Sequence, residues 1–327
     1  MTTPVPAPET GGAKPSATRE NALRPGLVAR LSAEAVGTLF VVVAGLGVPL
    51  FTIPQSNPLP ASLAAGLALT ASMLAFGYLS GGHFNPAVTV GNAVAGRIRL
   101  KEAAAYLGAQ IVGALLGAVT LFGILRTVPT ISDSRAAFDT VTAGFGEHSI
   151  IQVPMAGVLL VEVLGAALLV AVYLGTTSGR NPAKATAPFA VGLATAVLLQ
   201  LGQAIGNAPF NPARATASAI FSNTGSLGQL WLFWVAPLLG AVLAGLLFRG
   251  FGQSAAQPQP AVSTAVPDRA DGEEDAEPDA ARAHASAAPA PASPAPAQES
   301  GTAGSRTAGS GTAGGDEARD FFDKRAE

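Results

Sequence analysis

Between Glu34 and Arg97 the chain runs for 62 residues without a single Asp, Glu, Lys or Arg. Globular chains average about 25% charged residues, whereas this one holds 12%. A run this long and this uncharged cannot be wrapped by a polar surface in water. Further charge-free stretches cover 103–125, 163–179, 185–213 and 215–248. A helix needs about 20 mostly apolar residues to cross the hydrocarbon of a bilayer. The pattern predicts six spans, roughly 29–51, 61–79, 103–126, 154–175, 186–206 and 228–249. Six such segments exclude a soluble protein with buried helices. The fold class expected is an all-α membrane protein.

Charge is divided unevenly along the chain. Residues 1–250 hold 13 Lys and Arg against 8 Asp and Glu, a net of +5. Residues 251–327 hold 6 against 13, a net of −7. Neither part has the strong basic face that nucleic acid requires, so no nucleic-acid partner is expected. Lys and Arg mark the cytoplasmic loops of membrane proteins. One side collects Lys14, Arg19, Arg24 and Arg30, then Arg97, Arg99 and Lys101, then Arg180, Lys184 and Arg249. The other side has Arg126, Arg135 and Arg214. Both termini are therefore expected in the cytoplasm of a multi-pass protein of the cell (plasma or inner) membrane.

Three regions are expected. Residues 1–25 form a disordered Pro/Thr/Gly/Ala-rich segment that does not read as a secretory signal. Residues 26–250 form the membrane domain. Residues 251–327 form a disordered Ala/Pro/Gly-rich acidic tail, because such composition buries too little apolar surface to offset ordering entropy. The absence of cysteine excludes disulfides, Cys-ligated zinc, iron–sulfur clusters and thiol catalysis. No nucleophile–base pair, metal cluster or phosphate loop is visible. Neither an enzyme nor a bound cofactor or metal is expected.

The membrane part repeats itself. Glu34 and Gly37 in the first span match Glu162 and Gly165 in the fourth. Asn85-Pro86-Ala87 matches Asn211-Pro212-Ala213, and Gly113 in the third span matches Gly240 in the sixth. The repeats run over about 27–126 and 153–250. Each holds three spans, an odd number, so the second copy enters the membrane inverted. Inverted repeats place the working site near the midplane, at the repeat interface. Each copy also has an apolar segment too short to span, Phe84 to Val94 and Phe210 to Phe221. Asn is a strong N-cap and Pro is favoured at the first helical position. Both segments therefore read as half-helices of about 10 residues, or about 15 Å at 1.5 Å per residue. Entering from opposite faces, they meet near the middle of the bilayer with their N-termini facing. Irregular backbone at that depth is tolerated where it is buried or lines a cavity, which implies a pore. Each Asn accepts a capping bond through its side-chain oxygen and turns its amide NH₂ into the pore as a fixed donor. Two positive helix ends converge there, which suits neutral polar solutes and opposes cations and protons.

Ser80-Gly-Gly-His83-Phe-Asn85-Pro-Ala-Val-Thr-Val and Asn211-Pro-Ala-Arg214 resemble the two signature loops of the aquaporin, or major intrinsic protein, family. The resemblance covers residues 27–250. It implies an hourglass fold of six spans plus two half-helices, homotetramers with one pore per subunit, and passive permeation. It also implies that Glu34 and Glu162 hold the pore loops through hydrogen bonds. His83 is expected at the cytoplasmic vestibule as part of the same loop scaffold. A third Asn-Pro-Ala, at 181–183, has no repeat mate and no apolar half-helix behind it, and is read as coincidence.

The resemblance further implies a four-position selectivity filter. Arg214 is one position. Counting back from the motifs gives Ala65, Leu199 and Ala208 as the others; a shift of one residue would put Leu198 or Gln200 in place of Leu199. Water-selective relatives usually carry Phe and His at the first two positions, and glycerol facilitators a large aromatic, Gly and Phe. This chain has neither set, and two Ala with one Leu imply a wider, more apolar opening. Ala215, where glycerol-type members usually have Asp, and Phe233-Trp234 look water-type instead. The expected function is a passive channel for water, with small uncharged solutes, that excludes protons and ions. The alternative is a channel mainly for glycerol or metalloid hydroxides such as boric and arsenous acid. A membrane scaffold or junction role for the same fold is a minor reading. A coupled transporter would need ionisable coupling residues at the midplane, where only Glu34 and Glu162 are available.

Overall fold

The structure, a computed structural model, describes residues 25–51 and 59–254. The chain divides into two units, 1–262 and 263–327, and every described residue belongs to the first. Of the disordered segment expected for 1–25, residues 1–24 lie outside the described residues, as do residues 255–327 of the acidic tail expected for 251–327; residues 251–254 end the last helix.

Among the described residues six helices are long and apolar enough to cross a membrane. In chain order the elements are α1 (Leu27–Phe51), α2 (Ala61–Ser80), the half-helix α3 (Pro86–Val94) and α4 (Leu100–Leu125). A short helix α5 (Ser134–Asp139) precedes α6 (Met155–Thr176), α7 (Ala187–Gly206), the half-helix α8 (Pro212–Phe221), α9 (Thr224–Gln229) and α10 (Leu232–Ser254). Among the described residues there is no strand. The last span starts later than the sequence predicts and runs on to Ser254. Phe248 and Phe251 pair edge to face there, with ring centroids 5.5 Å apart.

The packing follows the inverted repeat. In the first copy α1 packs on α2 and on α4; in the second α6 packs on α7 and on α10. The half-helices are exchanged: α3 packs against α10 and α8 against α4, each the last span of the other copy. The second span of each copy, α2 and α7, meets the other directly. Leu67, Leu74, Leu116, Leu160, Leu193 and Leu243 are each at least half exposed. That outward apolar surface suits hydrocarbon rather than water.

Small residues set the distance between spans, as membrane packing requires. A Cβ at Gly113 would collide with the backbone carbonyl of Ala35, and one at Gly240 with that of Val163. Each carbonyl belongs to the residue directly after the repeat's glutamate. The glycine pair therefore presses α4 and α10 against the spans that carry Glu34 and Glu162.

Arg135 holds the far end of α8. Its Nη1 donates to the carbonyl of Ser222 at 2.8 Å, and its guanidinium lies over the Phe122 ring. Asp139 accepts from the Asn223 backbone N–H at 2.9 Å. The segment after α4 thereby closes the C-terminal end of the second half-helix, where backbone carbonyls lack helical partners. We predict that Gly113→Leu and Gly240→Leu, which force two backbones apart, each lower the melting temperature in detergent. Overpacking of this kind costs about 1–3 kcal/mol. The same substitution at Gly123, where nothing lies within 4 Å of the added Cβ, is expected to leave melting unchanged.

Candidate functional site: the paired half-helices and the lumen

Asn85 and Asn211 are the N-caps of α3 and α8, each followed by Pro at the first helical position. The Asn85 side-chain oxygen accepts from the Ala87 N–H at 2.8 Å. That of Asn211 accepts from the N–H groups of Ala213 at 3.0 Å and Arg214 at 3.3 Å. This much the Asn-Pro-Ala pattern predicts. The fate of the amide nitrogens is different from the expectation. Asn85 Nδ2 donates to the Phe210 carbonyl at 2.9 Å, and Asn211 Nδ2 donates to the Phe84 carbonyl at 3.1 Å. Each amide spends one of its two hydrogens clasping the opposite loop, which leaves one for the lumen.

Phe84 and Phe210 were not legible as site residues, although both precede Asn-Pro-Ala. Each has a φ of 49°, the left-handed region that L-residues with bulky side chains avoid. Such strain costs about 1–3 kcal/mol and persists only where the surroundings over-determine it. Here three contacts do so. The carbonyl accepts from the opposite Asn, the N–H donates to a glutamate, and the ring sits where a Cβ on Gly37 or Gly165 would be. Glu and Gly lie three residues apart, hence on one helix face. The repeated Glu-x-x-Gly marker is therefore a single device: the carboxylate takes the Phe N–H and the glycine makes room for its ring.

The two copies of this device are unequal. Both oxygens of Glu34 are engaged: Oε1 by Ser80 Oγ at 2.6 Å and the His83 N–H at 3.0 Å, Oε2 by the Phe84 N–H and Gln110 Nε2, both at 2.8 Å. Glu162 Oε1 accepts from the Phe210 N–H at 3.3 Å, and Oε2 has no hydrogen-bond partner. The sequence explains the difference. By the repeat offset Gly206 replaces Ser80, Pro209 replaces His83, and Pro237 replaces Gln110. Glycine has no hydroxyl, and neither proline has an N–H or side-chain amide to give.

A lumen runs past this centre. Its narrow part, a cavity of about 30 Å³, is lined by Val41, Ala65, Leu69, Val88, Leu169, Val191, Thr195 and Leu199, and by His83, Phe84, Asn85, Pro209, Asn211 and Arg214. That volume holds about two water molecules. Ala65, Leu199 and Arg214 also line a second cavity of about 60 Å³, with Ser62, Gln203 and Asn207. The three residues therefore stand at the neck between the two. Leu199 faces the lumen, whereas Gln200 accepts from Ser62 Oγ at 2.6 Å. Arg214 is 7% exposed, and its Nη2 donates to the Gly45 carbonyl at 3.4 Å. Ala208 lines neither cavity; it lies where a Cβ on Gly202 would come within 2.7 Å of its own.

On the face that carries Arg97 and Lys184 the lumen opens into a cavity of about 780 Å³. His83 lines both this cavity and the narrow lumen. Its Nδ1 is 3.0 Å from Thr89 Oγ1, and its ring packs edge-on against Tyr106 and Tyr173. The third Asn-Pro-Ala makes the same local hydrogen bond without capping an α-helix, the Ala183 N–H donating to Asn181 Oδ1 at 2.9 Å. It lies in an exposed turn, far from the half-helices in the chain and joined to neither. Among the described residues, no group of His, Asp and Glu is arranged to hold a metal ion.

The geometry agrees with the chain's relatives. The sequence profile of the family described as "Major intrinsic protein" matches residues 23–248. A protein of Photorhabdus laumondii named "Aquaporin Z" is 37% identical over 232 residues, covering 68% of this chain and 97% of its own. "Aquaporin Z" of Rhodopseudomonas palustris is 38% identical over 225 residues, covering 66% and 90%. The aquaglyceroporin of Plasmodium falciparum shares the fold with a TM-score of 0.56 at 22% identity, covering 69% of this chain and 95% of its own. The chain belongs to the major intrinsic protein (aquaporin) family and is a multi-pass membrane channel for water or small solutes.

The unequal glutamates give a prediction. Glu34→Gln leaves one oxygen for four donors, so two lose their acceptor, at about 1–3 kcal/mol each. Glu162→Gln keeps its single bond and replaces an unpartnered buried carboxylate oxygen with a neutral amide NH₂. Thermal melting in detergent is expected to fall for the first variant and to change little for the second. Equal falls would mean that the additional bonds of Glu34 add no stability beyond what Glu162 supplies with one.

Proposed function

We propose that the chain is a channel that conducts water, together with small uncharged solutes, and excludes protons and ions. The observation that carries this reading is the reciprocal clasp of Asn85 and Asn211 beside a narrow cavity of about 30 Å³. Each Asn offers its remaining N–H to a passing oxygen. Two half-helix N-termini converge on the same point, and their positive ends disfavour a cation. A water that accepts from both amides turns its hydrogens away from them, so the hydrogen-bond chain reverses there and a proton cannot be relayed through it.

The relatives named Aquaporin Z support water as a solute. The neck supports accompanying solutes, because Ala65 and Leu199 set no aromatic ring or imidazole opposite Arg214. Arg214 supplies a fixed positive charge and a donor at this neck; Ala208, expected as the fourth filter position, lines neither cavity. Glycerol or metalloid hydroxides as the main cargo are the second reading, favoured by the same apolar neck. The basic loops support a cytoplasmic position for the 780 Å³ cavity in a cell-membrane protein, and the family's habit supports a homotetramer.

The test is stopped-flow light scattering on proteoliposomes of the full chain, with water, glycerol, urea and boric acid compared against empty vesicles. Water flux well above empty vesicles is expected. Its absence would overturn the proposal. Arg214→Val is expected to raise flux of bulky or charged solutes relative to water. Mercurial reagents are expected not to inhibit, since there is no cysteine to modify; inhibition reversed by a thiol reductant would contradict that.

A further inference from the structure

The polar side chains that line the narrow lumen come from the loops and half-helices, with one exception. His83, Asn85, Asn211 and Arg214 belong to those loops and half-helices, whereas Thr195 belongs to the spanning helix α7. The remaining spanning-helix residues of this wall, Val41, Ala65, Leu69, Leu169, Val191 and Leu199, are apolar. Val191, Thr195 and Leu199 recur every four residues, so they occupy successive turns of one face, about 6 Å apart along the axis. Thr195 is one turn inward from the neck at Leu199. Its hydroxyl donates to the Val191 carbonyl at 2.9 Å. That bond fixes the rotamer and uses its single hydrogen, so toward a solute the hydroxyl of this lumen-lining residue can act only as an acceptor.

We infer that Thr195 is a specificity-determining residue that favours small neutral solutes carrying several hydroxyl groups. The inference rests on the channel reading above. A water molecule in single file keeps its hydrogen bonds through its neighbours in the file and needs nothing from the apolar wall. A polyhydroxylated solute fills the lumen and displaces those neighbours. Hydroxyls on its loop side accept from Asn85, Asn211 or Arg214. Hydroxyls on its other side meet hydrocarbon and lose hydrogen bonds they had in water, which is costly. Thr195 offers one acceptor on that side. The solute is then bonded across the lumen, donor wall to acceptor, while the rest of the helix wall stays apolar and lets it move on.

Thr195→Val removes the hydroxyl at nearly constant volume. The variant is read in proteoliposomes by the ratio of boric acid or glycerol flux to water flux. Loss of one such bond is expected to lower that ratio roughly fivefold. Thr195→Ala separates this from size. A merely steric residue, shortened, would raise solute flux, whereas a hydrogen-bonding one lowers it relative to water. Thr195→Ser keeps the hydroxyl and is expected to restore the ratio. Should valine fail to yield folded protein, the alanine and serine pair decides alone. An unchanged ratio, or a rise with alanine, would overturn the inference, as would a wild-type protein that passes water and neither solute. The last outcome keeps the reading of a water channel and removes only its accompanying solutes. A wild-type protein that passes neither water nor solute removes that reading instead.

Discussion

Two amide-to-carbonyl bonds, Asn85 to Phe210 and Asn211 to Phe84, join half-helices that come from opposite ends of the protein. The bilayer interior offers no water to the ends of a helix, so each N-terminal N–H and each loop carbonyl must find a partner in the protein. The Asn side chain answers both needs at once. Its oxygen caps its own helix and its nitrogen caps the other loop. Because the bonds are reciprocal, neither half-helix can shift along the channel axis without breaking the clasp. The lumen beside it inherits that fixed geometry.

The strain at Phe84 and Phe210 is the consequence of that arrangement. A left-handed residue directs its carbonyl toward the opposite Asn while its N–H turns back to the glutamate. Everything nearby serves to hold that conformation, from the glycine under each ring to the carboxylate behind each N–H. The support is heavier in the first copy, where Glu34 takes four donors, than in the second, where Glu162 takes one. Duplication kept the clasp and let the scaffold behind it diverge. The second loop is also the one that presents Arg214, whose own tether to the Gly45 carbonyl reaches across to the other repeat.

The solute-facing surface is built on a division of labour. Loops and half-helix N-termini contribute donors; spanning helices contribute an apolar wall. Polar groups on one wall alone let a solute stay hydrated on one side and slide on the other. Thr195 interrupts that division on the helix wall, and Ala65 with Leu199 brings only hydrocarbon side chains to the neck beside Arg214.

Much of this was legible in the residues. Charge-free runs reveal membrane spans because a charge in hydrocarbon is expensive. The repeat and the two Asn-Pro-Ala caps reveal half-helices because capping is local chemistry, and the third such triplet makes the same Ala N–H to Asn Oδ1 bond in an exposed turn. That local identity is why the motif alone does not mark a pore. The sequence by itself therefore determined the class, the spans and the caps, all of which depend on neighbours in the chain or on the solvent around it. Only the tertiary structure decided that each Asn amide clasps the other loop, that Phe84 and Phe210 carry the strain, and that Leu199 rather than Gln200 lines the neck. It also decided that Glu162 keeps an unpartnered oxygen. Those facts rest on contacts between residues about 50 to 130 positions apart, and a linear pattern holds no record of which distant groups meet.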